Sequence, residues 1–259
     1  MISPRGKSLA NWNPTSPKGS IAPFPTLPTG VLIVLSERLN DTLNRLQNAA
    51  DAAGRPLPTL VAVSKFQPAQ AVAELAAAGQ RVFGENYVQE AQAKIGALAD
   101  PALQWHLIGH LQSNKAALAA ALFDWVQTVD RPKLVDALAA ARAPGRDRLN
   151  VLIQVNIDDE TSKHGCAPDA VDALAARIAA QPRLALRGLM AIPAPHADPA
   201  LRRAAFARMK QLFDALAARH PGVDTLSMGM SEDCALAVAE GATMVRVGTA
   251  LFGARPAKA

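Results

Sequence analysis

The sequence predicts an α/β fold of the closed (β/α)8 barrel type. Short apolar segments rich in Val, Leu and Ile alternate with Ala-rich amphipathic segments from Ser36 to the end. The 259 residues match the roughly 250 residues of one such barrel. Because no polar linker divides the alternating part, one closed parallel barrel is favoured. A doubly wound open sheet, which would show the same alternation, is the alternative.

Eight strands are predicted where apolar segments end in small, polar or turn-forming residues. They are residues 59–65, 82–86, 104–109, 125–130, 149–157, 184–192, 225–229 and 244–248. The segments between them, such as 69–78 and 169–180, predict helices that several times open with Pro and close near Gly. Before the first strand, Ser36 is predicted to cap a helix with Leu residues along one face.

Residues 1–30 have a different composition and predict a flexible tail, with residues 31–259 forming the barrel domain. Six of the 19 prolines fall in this segment, together with Arg5, Lys7 and Lys18 and no acidic residue. The apolar core of a secretory signal is absent, and the prolines would break an amphipathic targeting helix.

Composition narrows the possible functions. No apolar run reaches the roughly 20 residues that span a bilayer, so no membrane association is expected. The net charge is +5, but basic and acidic residues are interspersed, which favours a small anionic ligand over nucleic acid. Two cysteines, Cys166 and Cys234, fit neither a disulfide framework nor a zinc site. They favour a reducing compartment, and we expect a cytoplasmic protein.

Lys65 ends the first apolar strand. Side chains alternate along a strand, so Lys65 shares a face with Val61 and Val63. In a parallel barrel it would project from the carboxyl end, where such folds bind ligands. A lysine that simply ends a strand in solvent is the alternative.

The ends of the seventh and eighth strands predict a phosphate site. Gly229 and Gly248 allow close backbone approach, and Ser231 and Thr249 add hydroxyls beside predicted helix starts. Barrels commonly hold phosphate with the loops after these two strands. Ordinary helix caps and turns would also explain these residues.

Arg246 is predicted to point into the barrel. Val245 and Val247 flank it, so it shares a face with Met244 and Gly248. A buried arginine needs a partner, and none of the neighbouring residues in its strand is acidic. Either a ligand or a carboxylate from another strand would pair with it.

Several segments together resemble the pyridoxal phosphate homeostasis proteins, whose barrel is similar to that of alanine racemase without its second domain. The matching segments are AVSK at 62–65, FGENYVQE at 83–90, WHLIGHLQSNK at 105–115, LSMGMS at 226–231 and RVGTALFG at 246–253. The resemblance runs from about Ser36 to Arg255 and leaves the predicted tail outside.

The resemblance implies a role for each candidate site residue. It places pyridoxal 5′-phosphate on Lys65 as a Schiff base. It assigns the phosphate to Ser231, Gly248 and Thr249, and the pyridine nitrogen to Arg246. Asn86 and Met228 would lie near the ring.

The function implied is intracellular vitamin B6 homeostasis: holding the cofactor and releasing it to apo-enzymes, with free amino acids as possible ligands and no turnover. We expect a monomer. One alternative is an amino-acid racemase, although the single tyrosine, Tyr87, follows the second strand and no extra domain is present. Another is a Schiff-base aldolase that would need no cofactor.

Two further signals are weaker. His106 and His110 are spaced as on a zinc-binding helix, but residues 105–108 are strand-like, so no metal site is expected. The family block suggests that His106 shapes the cleft or satisfies a core hydrogen bond. Lys163 follows the fifth strand; a solvated loop residue is favoured, and a position near the barrel mouth is the alternative.

Overall fold

The computed structural model describes residues 29–158 and 164–253 of the chain. Eight parallel strands follow one another around a closed barrel, with β1 paired to both β2 and β8. This confirms the predicted (β/α)8 barrel and excludes the open sheet. The strands are β1 Thr59–Val63, β2 Val82–Glu85, β3 Gln104–Leu107, β4 Trp125–Val129, β5 Leu149–Val155, β6 Leu184–Ala191, β7 Thr225–Ser227 and β8 Met244–Val247.

Helices connect successive strands on the outside of the barrel. They are α1 Thr29–Ala53, α2 Ala69–Ala77, α3 Val88–Leu98, α4 Ala116–Leu122, α5 Pro132–Ala141, α6 Val171–Ala179, α7 Pro199–Ala217, α8 Cys234–Ala239 and α9 Thr249–Phe252. The helix before β1, α1, packs beside both α8 and α9. None of the helices in the described ranges is long and apolar enough to cross a membrane.

The start of α1 corrects one prediction. Ser36 lies inside the helix and does not cap it, because α1 already begins at Thr29. No proline or charged residue interrupts residues 30–35, so nothing in the sequence stops the helix from extending back to that point. The predicted flexible tail, residues 1–30, lies outside the described residues except for its last two, which belong to α1. Its flexibility stays a prediction.

Alternation along the strands sends side chains to two different cores. Val245 and Val247 of β8 join the large apolar cluster between the barrel and its helices. On the inner face, Trp125, Leu152 and Met190 form a separate apolar cluster. Next to it, the barrel interior holds buried polar groups, Arg246 among them. The barrel interior therefore combines an apolar cluster with buried polar groups.

Candidate cofactor-binding site

A cleft of about 670 Å³ opens at the carboxyl ends of β1, β6, β7 and β8. Five of the seven residues predicted for the site line it, although they lie as much as 184 residues apart in the sequence. They are Lys65, Ser231, Arg246, Gly248 and Thr249. Lys65 follows β1, Ser231 follows β7, and Arg246, Gly248 and Thr249 belong to the end of β8 and the start of α9. Barrel closure thus brings together the groups that the sequence singled out.

The other two predicted residues, Asn86 and Met228, are not among the residues that line this cleft. The Met228 side chain is fully buried in the apolar cluster between barrel and helices. This follows from the alternation of β7, which turns Ser227 inwards and its neighbours outwards. Asn86 is half-buried after β2, and its backbone lies against Gly109, where an added Cβ would stand 2.2 Å from the Asn86 oxygen.

The backbone on both sides of Lys65 is held by α3. The Lys94 ammonium donates a hydrogen bond to the Ser64 carbonyl oxygen at 2.6 Å. The Phe66 backbone N–H donates to Glu90 Oε1 at 2.5 Å. Phe66 has a φ of 64°, a left-handed conformation that is costly for a bulky residue. These contacts stabilise the tight turn that aims Lys65 at the cleft.

Behind this turn lies a buried charge cluster. Glu85, fully buried at the end of β2, accepts hydrogen bonds from Lys94 Nζ at 2.7 Å and from the Ser64 hydroxyl at 2.6 Å. Glu90 also pairs with Lys94 at 2.7 Å. Burial raises the pKa of Glu85, and the positive charge of Lys94 opposes that rise. The lysine therefore offsets part of the cost of burying this carboxyl group.

Arg246 is buried at the inner end of the cleft. Its Nη1 donates to the Ser227 hydroxyl at 2.6 Å, and its Nη2 donates to the Ala191 carbonyl oxygen at 2.9 Å. Within the described ranges it forms no ion pair with a carboxylate, so the alternative of a structural salt bridge finds no support. Burial lowers the pKa of Arg246 to about 10, a shift that Asp233 opposes, and the guanidinium stays protonated at neutral pH.

A buried hydrogen-bond chain fixes the orientation of Arg246. The Ser227 hydroxyl donates to Gln127 Oε1 at 2.7 Å, and Gln127 Nε2 donates to His106 Nδ1 at 2.8 Å. His106 Nε2 then donates to Gln104 Oε1 at 3.0 Å. Burial lowers the pKa of His106 to about 3, so the ring is neutral. Both ring nitrogens are occupied, which confirms His106 as a core hydrogen-bonding residue.

The sequence analysis did not predict three charged residues of the cleft, which are Arg202, Glu232 and Asp233. Arg202 of α7 lines it, and its Nε is buried without a hydrogen-bond partner among the described residues. The preceding connection, residues 192–198, contributes Ile192, Pro193 and His196 to the same wall. The unusual Ile-Pro-Ala-Pro-His sequence after β6 was the available signal, because such a loop at the carboxyl end of a barrel strand borders the ligand site.

These groups fit a phosphorylated aldehyde cofactor. Lys65 offers an amine, Ser231 and Thr249 offer hydroxyls, and two arginines, Arg202 and Arg246, lack carboxylate partners among the described residues. Gly248 keeps the wall open, because a Cβ there would meet the Val63 side chain at 3.3 Å and leave less room for a ligand. Arginines in a cleft that have no carboxylate partner favour the binding of an anionic ligand.

The fold and the cleft define the class of protein: a (β/α)8 barrel of the alanine racemase type with a lysine at the end of β1. The family model described as "Alanine racemase, N-terminal domain" matches residues 37–256. An alanine racemase from Corynebacterium glutamicum shares the fold with a TM-score of 0.66 at 17% identity, covering 86% of this chain and 62% of that one.

Relatives with higher sequence identity show which family within this class the chain belongs to. The pyridoxal phosphate homeostasis protein of Pseudomonas aeruginosa is 52% identical over 223 residues, which is 85% of this chain and 96% of that protein. The Escherichia coli K12 protein of the same name is 48% identical, covering 85% and 97%. PipY from Synechococcus elongatus, solved with PLP bound, has a TM-score of 0.75 at 39% identity, covering 85% and 100%. The chain belongs to the pyridoxal phosphate homeostasis protein family.

Proposed function

We propose that this protein binds pyridoxal 5′-phosphate reversibly at Lys65 and serves the homeostasis of that cofactor without turning over amino acids. The observation that supports the proposal is the convergence of Lys65, Arg246, Ser231 and Thr249 on one cleft. The names of the relatives and the PLP-bound PipY structure agree with it. When bound, the cofactor supplies an aldehyde that a primary amine captures.

Lys65 is the residue that would capture the aldehyde. Its side chain is half-buried, and the cations Arg202 and Arg246 line the same cleft. A lysine amine attacks an aldehyde in its neutral form, which is the nucleophilic one. The turn held by Glu90 and Lys94 keeps the amine at a fixed position relative to β1.

Arg246 would face the pyridine nitrogen. Two of its five N–H donors are taken by Ser227 and Ala191, so others remain for a ligand. Because the guanidinium stays protonated, it would donate a hydrogen bond to the ring nitrogen and disfavour protonation there. With Arg246 in this position the cofactor would be a weaker electron sink than with an aspartate.

The phosphate would lie against Ser231, Gly248 and Thr249. Each hydrogen bond to a charged group contributes roughly 1.5–3 kcal/mol. We therefore expect the double variant Ser231→Ala/Thr249→Ala to weaken cofactor binding about tenfold or more. Equilibrium binding monitored by cofactor absorbance measures this loss. Ser36→Ala, which removes a hydroxyl from α1 that does not line the cleft, is the control, and equal affinities for both proteins would locate the phosphate elsewhere.

A racemase needs a second proton-transferring group on the far side of the bound substrate. His106 cannot serve, because both of its nitrogens are engaged inside the barrel. Tyr87 is exposed beyond β2, where it packs against Phe66, and it is not among the residues lining the cleft. We therefore favour a carrier that exchanges its cofactor with apo-enzymes and free amino acids. Two buried free cysteines are consistent with a reducing cytosol, and the proposal is of a protein that acts there as a monomer.

The decisive assay is solvent deuterium exchange at the α-carbon of a panel of L- and D-amino acids. The carrier proposal expects negligible exchange, together with transfer of cofactor from the protein to an apo-enzyme. Lys65→Ala is the control for chemistry at this site. Rapid exchange with any one amino acid that depends on Lys65 would instead favour the racemase.

A further inference from the structure

Three side chains of metal-ligand type meet on the opposite arc of the barrel mouth. His110 follows β3, Asp130 follows β4 and His164 lies beyond β5. The two imidazole rings stack with centroids 3.9 Å apart, and His110 Nδ1 lies 3.8 Å from Asp130 Oδ2. One ligand atom from each residue lies within 4.8 Å of the others, a grouping not repeated elsewhere in residues 29–158 and 164–253.

The carboxylate of this cluster is oriented by a neighbouring arginine. Arg131 Nη1 donates a hydrogen bond to Asp130 Oδ1 at 2.5 Å, and its Nη2 donates one to the Leu111 carbonyl oxygen at 2.7 Å. The remaining carboxylate oxygen, Oδ2, is the one that faces His110. Such an outer partner fixes the orientation of a metal-binding carboxylate.

The backbone beside each histidine is anchored to the barrel. The Thr128 hydroxyl donates to the Gly109 carbonyl oxygen at 2.9 Å, next to His110. Gln154 Nε2 donates to the His164 carbonyl oxygen at 3.1 Å. The side chains are exposed and can rotate, whereas their attachment points are held by rigid strands. This combination allows adjustment around an ion without movement of the fold.

We propose that His110, Asp130 and His164 bind a divalent transition-metal ion of the zinc type. Two imidazoles and one carboxylate suit Zn²⁺, Ni²⁺ or Cu²⁺ better than Mg²⁺ or Ca²⁺, which prefer oxygen ligands. Zinc lies roughly 2.0–2.2 Å from such nitrogen and oxygen atoms. Rotation of the stacked rings about their side-chain bonds would bring the donors to that distance, and water would complete the coordination.

The proposed site differs from the sequence-based expectation, which was that no metal site is present. The spacing of His106 and His110 is typical of a zinc-binding helix, but β3 occupies this part of the chain. His110 instead finds its companions on the loops after β4 and β5. None of the three residues is among those that line the cofactor cleft, so the cluster is a distinct site.

The test is calorimetric titration of Zn²⁺ into the tag-free full chain, cleared of unbound pyridoxal phosphate because that compound chelates metals. We expect one saturable site per chain. His110→Ala, His164→Ala and Asp130→Asn should each weaken it roughly tenfold or more. The control His220→Ala removes a histidine from the loop between α7 and β7 and should leave the affinity unchanged.

Two readouts keep the result interpretable. Co²⁺ replaces Zn²⁺ as a visible probe. The absorption bands of Co²⁺ bound through histidine nitrogen should weaken in the histidine variants. Circular dichroism and borohydride labelling of Lys65 establish that each variant is folded. The proposal is overturned if the unaltered chain shows no saturable site, or if all three variants bind Zn²⁺ as tightly as the unaltered chain.

Discussion

Lys65→Ala is expected to abolish the visible absorbance of the cofactor-loaded protein and to eliminate borohydride-stable labelling. The reason is covalent: Lys65 is the lysine that lines the cleft, and alanine has no amine. Phosphate and ring contacts remain in the variant, so weak non-covalent binding should survive. The measurement combines the absorbance spectrum before and after borohydride with peptide mapping of the reduced lysine.

Lys115→Ala provides the matched control for this experiment. Lys115 is a partly exposed lysine after β3 that contacts Gln89 and does not line the cleft. It should retain full labelling. The fold should also survive in Lys65→Ala, because the side chain is only half-buried and lies beyond the end of β1. Labelling found mainly on Lys115 or Lys163 would contradict the assignment.

Lys94→Met is expected to lower the free energy of unfolding by about 3–5 kcal/mol, the range for removing one partner of a buried ion pair. Glu85 is completely buried and would lose its cation, while the Ser64 carbonyl would lose a hydrogen bond. Urea denaturation at neutral pH measures the loss. Adding Glu85→Gln should restore much of the stability, because the uncompensated charge is then gone.

An exposed ion pair supplies the control for Lys94. Lys210 pairs with Asp214 one turn away on α7, at 2.6 Å, on a half-exposed surface. Its replacement by Met should cost no more than about 0.5 kcal/mol, because solvent screens such pairs. Comparable losses in the two variants would mean that burial of the Glu85–Lys94 pair has no special effect.

The cost of Lys94→Met should depend on pH in a defined direction. Burial raises the pKa of Glu85 above its ordinary value of 4.5, and removing Lys94 raises it further. The folded variant then binds a proton more tightly than the unfolded chain, so its stability falls as pH rises above 4.5. The difference from the unaltered protein should therefore shrink as pH is lowered towards that value. A constant difference would indicate that charge at Glu85 is not the cause.

Local patterns determined most of the fold and part of the site. The alternation of strand and helix predicted the barrel, and side-chain parity placed Arg246 inside it, because both depend on neighbouring residues alone. Parity and the end of an apolar run also placed Lys65 at the mouth. Parity also separates Met228 from Ser227, and the Met228 side chain lies in the core between the barrel and its helices.

Tertiary structure alone decided what holds and surrounds these residues. The turn of Lys65 depends on Glu90 and Lys94, the direction of Arg246 depends on Gln127 and His106, and Arg202 enters from α7. The cluster of His110, Asp130 and His164 draws on three separate loops. Each set joins residues that are distant in the sequence, and no local periodicity reports such contacts. These contacts form only when the barrel closes. Closure determines which strands are neighbours and in what register they pair, and so which side chains meet at the carboxyl ends of the strands.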